Sequence, residues 1–310
     1  MKQIIEFAPA KINLSLQVTG QRDDGYHLLK SLVVFANAGD RVFIEPSSDF
    51  SLEVTGPFGD CLSGCFPRCF PGKSDYKGNN HKASNPEDNL VIKAGRKLQK
   101  LLGVDKGAAI TLEKNLPVSS GIGGGSADAA AVVRGLLGLW DIDPKRLVDS
   151  LNDLALEIGA DVPVCLRGKC SWMEGVGEIL KPGPQLPGFF CVLVNPGCPV
   201  STPQIFKELN GQFSQAVIEP EEVCSLPDLL HYLNAAGNDL ANPAKRLEPL
   251  IADSLKALED QQDCLFAGMS GSGATCYGLY KDIVAAKMAA AAIKQNNKNW
   301  WVQPAELNSL

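Results

Sequence analysis

The sequence predicts a mixed α+β protein of about two domains, and three observations predict it. Strand-like and helix-like hydrophobic patterns alternate through both halves instead of segregating. The chain has 310 residues and 45% hydrophobic content, enough for a large core at the usual domain size. Residues 57–86 alone break the alternation, being rich in Gly, Pro, Asn, Ser and Cys without periodicity, and are expected to form a surface insertion.

The elements follow in order. Residues 4–18 carry strand patterning and 41–54 continue it. Leu90, Ala94, Leu98 and Leu101 recur at helical spacing and predict a helix over 90–102, with a short strand over 108–113. After a glycine run, Ala127, Ala130, Val133 and Leu137 share a helical face, with Ser126 expected as N-cap and Asp128 in an acidic first turn. A further helix is predicted over 147–156. In the second half, 189–194 is a compact apolar strand, 203–209 a short helix and 247–258 a longer one. Residues 265–280 predict strand, glycine turn and strand around Gly268-Met269-Ser270-Gly271-Ser272-Gly273, and 281–294 predict a helix.

Composition narrows the function. A net charge of −6 without a long basic run argues against nucleic acid as a partner and favours a small ligand. No apolar stretch has spanning length, and strand patterning begins at Ile4, so neither a membrane partner nor a signal or transit peptide is expected. A cytoplasmic protein is the expectation. Ten cysteines are too sparse for a disulfide scaffold, and Cys165, Cys191 and Cys276 sit in apolar runs as small buried thiols.

The insertion contains Cys61, Cys65, Cys69 and His81, donors that suit zinc, but their spacing fits neither paired zinc modules nor cluster runs, so a loop is the leading reading. Gly72-Lys73-Ser74 mimics the end of a Walker A loop, yet Pro67 stands where that motif needs glycine, and the flanking strand and helix are missing from the pattern.

The segment PVSSGIGGGSADAAA, 117–131, is the most informative in the chain. Glycines let backbone amides approach an anion, and the following helix adds its positive end, which suits a triphosphate. The run lacks the Walker A lysine and the dinucleotide spacing, so composition alone serves a close-packing turn equally well. Lys11 and Asn13 alternate to one face of an otherwise apolar strand, where polar groups need partners; an edge-strand gatekeeper is the ordinary alternative for Lys11. Asp161, in IGADVPV, sits in a turn that can hold a carboxylate rigidly or simply cap a helix.

Together PAKINL (9–14), DGYH (24–27), the glycine loop, GADVP (159–163) and SGSGA (270–274) resemble the GHMP small-molecule kinases, over nearly the whole chain apart from 57–86. The resemblance implies a domain like ribosomal protein S5 domain 2 over 1–167 and a ferredoxin-like domain over 168–310, with substrate and ATP meeting in the cleft between them. DGYH, EGVGE (174–178) and STPQIF (201–206) resemble those members that phosphorylate the 2-hydroxyl of diphosphocytidyl-methylerythritol, giving the 2-phosphate and ADP in non-mevalonate isoprenoid precursor biosynthesis. A kinase for mevalonate or homoserine is the nearest alternative, and these segments argue against it.

By that resemblance Lys11 and Asp161 are catalytic. A carboxylate is too weak a base to deprotonate an alcohol outright, so Asp161 is expected to orient the hydroxyl and take its proton late, with Lys11 as an electrostatic clamp. Asn89, Pro117, Ser119, Ser120, Gly121, Ile122, Gly123, Gly124, Gly125 and Ser126 are implied for ATP, with Ser126 offered to Mg2+. Asn13, Tyr26, His27, Thr202, Phe206, Gly271, Ser272 and Gly273 are implied for the substrate, Tyr26 and Phe206 stacking on cytosine and His27 bonding its edge. Ser119 and Ser120 stand where relatives more often carry alanine or glycine. The sequence leaves monomer and homodimer open. A serine hydrolase is set aside because no G-x-S-x-G is completed and only three histidines exist. A non-catalytic relative would typically lose the Lys or Asp that are both present here.

Overall fold

A computed structural model describes residues 2–62, 88–186, 188–220, 223 and 225–308. Along the chain run β1 (Ile4–Asn13), β2 (Gln17–Gln21), β3 (His27–Ser47), β4 (Ser51–Thr55), α1 (Leu90–Leu102), β5 (Gly107–Glu113), α2 (Gly124–Leu139), α3 (Val148–Ile158), α4 (Val162–Arg167), β6 (Ser171–Gly175), β7 (Ile179–Pro182) and β8 (Phe189–Asn195). There follow α5 (Thr202–Lys207), α6 (Leu226–Ala236), α7 (Ala241–Leu247), α8 (Leu250–Glu259), β9 (Phe266–Met269), β10 (Cys276–Tyr280), α9 (Ile283–Asn296) and β11 (Trp301–Leu307). The α+β class is the one the sequence predicts. No described helix is long and apolar enough to cross a membrane.

The chain forms two compact units: Met1–Ala10, Gly39–Val118 and Gly123–Arg167 make the first, and Lys11–Ala38, Ser119–Ile122 and Gly168–Leu310 the second. Residues 11–38 thus group with the C-terminal part of the chain, so the units interleave in sequence where the expected line runs 1–167 and 168–310.

In the first unit the end of β3 pairs antiparallel with β5, Arg41 opposite Glu113 through Ser47 opposite Gly107, and β4 adds in parallel. Helix α2 buries Ala127, Ala129, Ala130 and Ala131, side chains small enough for close approach. At Gly135 the approach is tightest, because a Cβ there would lie 2.3 Å from Ile44 Cδ1. Helix α1 packs on α2 and is sharply bounded. Asn89 Oδ1 accepts from Val91 N at 2.9 Å, and Gly103 closes it at φ +62°, a left-handed cap that glycine adopts without strain.

In the second unit β8 lies between β10 and β11, antiparallel to both, with β9 beyond β10. The start of β3 pairs with β2 and β6, and Leu307 of β11 reaches Ala36 of β3. The core gathers Val192 and Val194 with Ile251, Leu258, Cys276, Ala286 and Ile293, which are the inward residues of β8, β10, α8 and α9.

Several boundaries differ from the sequence expectation for physical reasons. Gly123, not Ser126, is the N-cap of α2: it enters the helix at φ +63°, so the helix starts at Gly124 and Asp128 is buried beyond the first turn. Residues 28–36 form the start of a long strand that was not expected; most of them are buried whichever way they point, and the run lacks a two-residue alternation. The helix expected over 247–258 starts at Leu250, because Glu248 is extended ahead of Pro249, which disfavours helical backbone before it, and the Asn-Pro stretch ahead of it is the short helix α7.

Candidate active site

The glycine loop divides between the units. From Gly123 onward it belongs to the first, where the first turn of α2 has no side-chain cap, leaving backbone amides at the positive end of a 16-residue helix. Gly125 is exposed, and a Cβ there would touch Leu90 Cδ1 at 3.5 Å, so Asn89 at the head of α1 is next to this turn. Asn89 Oδ1 is committed to capping α1. Ser126 lies in the first turn and is half-buried.

Beneath this turn lies a buried charge cluster that sequence reasoning missed. Lys114 Nζ donates to Asp128 Oδ2 at 2.6 Å and also to Asp40 Oδ2. Asp40 Oδ1 accepts from the backbone N–H groups of Asn115 and Leu116 at 2.5 and 2.8 Å. Burial alone would lower the Lys114 pKa, but the charges and hydrogen bonds of Asp128 and Asp40 outweigh it and raise it above the ordinary lysine value. Burial pushes Asp128 up to about 7; Lys114 pulls it down, and the Asp40 carboxylate adds to the rise. Asp128 Oδ1 is buried without a hydrogen-bond partner. A Cβ on Gly124 would sit 3.2 Å from Lys114 Nζ, which ties this cluster to the loop above it.

Ser119–Ile122 belong to the second unit, together with Lys11 and Asn13. Lys11 is 4% exposed, and its backbone N–H donates to Ile122 O at 2.9 Å. Ser119 holds φ +53° and Gly121 φ +76°. A Cβ on Gly121 would lie 2.5 Å from Gly273 O and 2.6 Å from Ser270 O, so the loop and the β9–β10 turn meet backbone to backbone. Ser270, fully buried, accepts from Asn13 N and donates to Gly121 O, each at 3.0 Å, while Thr275 N donates to Ser120 O at 3.1 Å. Asn13 Nδ2 donates to Ser31 Oγ at 2.8 Å, and Ser31 donates onward to Ser15 O. Ser31 therefore has only lone pairs to offer Asn13, which fixes the amide with Oδ1 as its other end. That Oδ1 is buried without a hydrogen-bond partner.

The remaining expected substrate residues also lie in the second unit. The turn Arg22–Tyr26 closes through Arg22 N to Tyr26 O, with Gly25 at φ +90°, and presents Tyr26 at 65% exposure. His27 stacks on Phe206 with ring centroids 4.6 Å apart, and burial lowers its pKa below the ordinary histidine value. Thr202 and Ser272 share a hydroxyl hydrogen bond of 2.7 Å. In the first unit, Pro117 follows Leu116 at the loop entrance, and Asp161 is half-buried immediately before α4, its carbonyl accepting from Cys165 N. Cys165, Cys191 and Cys276 are buried, as expected. Cys61 is disulfide-bonded; Cys65, Cys69 and His81 lie outside the described residues. Among the described residues no group of three or more His, Cys, Asp or Glu could hold a metal ion.

Two family models match the chain in order: "GHMP kinases N terminal domain" over 89–169 and "GHMP kinases C terminal" over 225–299. With the uncapped glycine loop they define a small-molecule kinase. A 4-diphosphocytidyl-2-C-methyl-D-erythritol kinase from Paramagnetospirillum magneticum is 46% identical over 303 residues, covering 97% of this chain and 98% of the relative. A crystal structure of 4-(cytidine 5'-diphospho)-2C-methyl-D-erythritol kinase superposes with a TM-score of 0.74 at 30% identity, covering 99% of this chain and 100% of the other. Homoserine kinase from Cytophaga hutchinsonii, at 19% identity and a TM-score of 0.60 over 99% of this chain and 94% of its own, shares the fold. The chain belongs to the GHMP kinases and, among them, to the 4-diphosphocytidyl-2-C-methyl-D-erythritol kinase family.

Proposed function

We propose that the chain transfers the γ-phosphoryl group of ATP to the 2-hydroxyl of 4-diphosphocytidyl-2-C-methyl-D-erythritol. The observation that carries this is Asn13: a buried amide whose nitrogen is satisfied and whose Oδ1 is not, in the same unit as Lys11 and the glycine turn at 270–273. A buried acceptor without a donor is costly, and a substrate hydroxyl supplies the donor.

The uncapped amides of Gly124, Gly125 and Ser126, with Gly121, Ile122 and Gly123 ahead of them, hold the triphosphate. Pro117, Ser119 and Ser120 shape the loop entrance, and Asn89 lies beside the nucleotide. Asp161 orients the substrate hydroxyl and accepts its proton as the new O–P bond forms. The bridging bond to the γ-phosphorus breaks and its electron pair leaves with ADP; Asp161 then returns the proton to solvent. Lys11 offsets negative charge on the transferring group. Mg2+, when bound, would offset phosphate charge, with the half-buried Ser126 hydroxyl in the first turn of α2 as the protein group that would hold it.

Tyr26, His27 and Phe206 receive the cytosine. The His27–Phe206 stack supports an aromatic platform, and a neutral His27 keeps one acceptor for the exocyclic amine. Thr202, Gly271, Ser272 and Gly273 face the phosphate and erythritol portion. The matched family segments support a GHMP kinase half in each of 1–167 and 168–310.

The test is ADP release by purified protein with Mg-ATP and, separately, the diphosphocytidyl substrate, mevalonate and homoserine. Turnover with the first and at least about 100-fold lower kcat/KM with the others is expected. Turnover confined to mevalonate or homoserine overturns the assignment.

A further inference from the structure

We propose that Asn238 is a positioning residue for this phosphoryl transfer, acting through Ser270 on Asn13 and on the Gly121 carbonyl; the proposal rests on the kinase reading above. Asn238 uses its whole amide. Its Oδ1 accepts from Leu240 N at 2.9 Å, and its Nδ2 donates to Met269 O at 2.7 Å and to Gly271 O at 2.9 Å. Those two carbonyls flank Ser270 in sequence. Gripping both holds the peptide ahead of Ser270 and the one after Gly271, while Gly273 N donates to Ser270 O at 3.0 Å, so the turn around Ser270 is pinned and its hydroxyl has a fixed direction.

That hydroxyl is the joint between segments far apart in the chain. It takes the Asn13 N–H and gives its own proton to Gly121 O, so one oxygen fixes the strand end bearing Asn13 against the phosphate loop. Gly271 shows how little slack exists, because a Cβ there would lie 2.8 Å from Gly121 O. Asn238 is itself referenced to the same strand region. Leu16 N donates to Gly237 O and Asp239 N to Leu16 O, both at 2.9 Å, and Asp239 Oδ2 accepts from Val18 N at 2.7 Å. The circuit therefore starts and ends within a few residues of Asn13, and a shift at Asn238 reaches the substrate acceptor and the phosphate loop together. A misplacement of about 1 Å in a reacting group costs on the order of 100-fold in rate, so a residue that touches neither ligand can control turnover.

The experiment compares wild type, Asn238→Ala, Asn238→Asp and Ser270→Ala, alone and combined with Asn13→Ala. Asn238→Asp keeps the shape and the Leu240 bond but turns an acceptor toward two carbonyls. Each single variant is expected to lower kcat by about 10- to 100-fold while ATP affinity, measured by titration calorimetry without the second substrate, stays within about threefold. In the Asn13→Ala background Asn238→Ala should cost at least about threefold less than it does in wild type, since one of the two groups it positions is gone. Full multiplication of the two effects overturns the proposal, as does unchanged kcat in Asn238→Ala accompanied only by a lower unfolding temperature. If Asn238→Ala does not fold, Ser270→Ala and Asn238→Asp carry the same comparison. Inactive wild-type protein overturns the kinase reading, whereas an active wild type with indifferent variants overturns the positioning role alone.

Discussion

Lys114→Met removes the cation that two buried carboxylates share, in a side chain of similar length that leaves little void. Asp40 and Asp128 are 0 and 3% exposed at the side chain, so neither gains water in exchange. Asp40 keeps its two backbone donors, but Asp128 loses the partner of Oδ2 while its Oδ1 already has none. Removing one member of a buried ion pair costs about 3–5 kcal/mol, and that loss is expected at about pH 8. The sign with pH follows from Asp128. Its folded pKa is raised by burial above its unfolded value, so its contribution is present at low pH and lost as pH rises through about 7. Without Lys114 the pull that lowered it disappears, and Asp128 rises further. Acidification to about pH 5.5 should therefore protonate Asp128 in the variant and narrow the gap to wild type. Lys114 itself, raised in the folded state, contributes fully below the ordinary lysine pKa, so wild type holds its advantage across this range. Urea denaturation at both pH values measures the difference, and adding Asp128→Asn to the variant should recover part of the loss at the higher pH. A loss under about 1 kcal/mol at pH 8, or one that deepens on acidification, would refute the reasoning.

Three further outcomes are expected. Asp161→Asn should lower turnover by about 100- to 10,000-fold with ATP affinity unchanged; single-turnover phosphoryl transfer within tenfold of wild type removes Asp161 from the proton-accepting role. Gly121→Ala must hold φ +76° and place a methyl against two backbone carbonyls, so it should cost more than about 2 kcal/mol and weaken ATP binding. Gly103→Ala, left-handed but with open space around it, should cost only about 1 kcal/mol, and parallel thermal melts distinguish the two. His27, lowered in pKa by burial, is neutral at pH 7, so its stacking contribution is present above the ordinary histidine value and lost as pH falls through the depressed one. The substrate KM should be flat above the ordinary histidine value and rise only as pH falls below it, and His27→Gln should abolish that rise.

What the sequence made legible is local. Helix α1 announced itself through its apolar stripe, and the β9–β10 turn through its glycines, because each is specified by residues within a few positions. Helix α6 carried a readable signal too, with Ser225 capping Asp228 and Leu229, Tyr232, Leu233 and Ala236 on one face, yet it was not expected. The start of β3 offered no period to read. At the site, contiguous motifs pointed to Lys11, Asn13, the glycine loop and Asp161. Asp40, Lys114 and Asn238 did not stand out, since lysine and aspartate are ordinarily surface residues and the partners lie 74 positions away for Asp40 and Lys114 and 31 for Asn238 and Met269.

The interleaving of the two units in sequence has a consequence for synthesis on the ribosome. Residues 11–38 are made early, but the second unit that they complete draws on the C-terminal end: Tyr277 Oη donates to Leu14 O across 263 residues, and Leu307 pairs with Ala36. At translation speeds of roughly 5–20 residues per second, Leu14 waits on the order of 13–50 s for that partner. During this interval the buried strand residues Leu32, Val33, Val34 and Phe35 have no completed unit to enter, and their unpaired backbone is a site for holdase chaperones. Neither unit is a contiguous stretch of chain, so the nascent polypeptide has no early folded half to bank before termination.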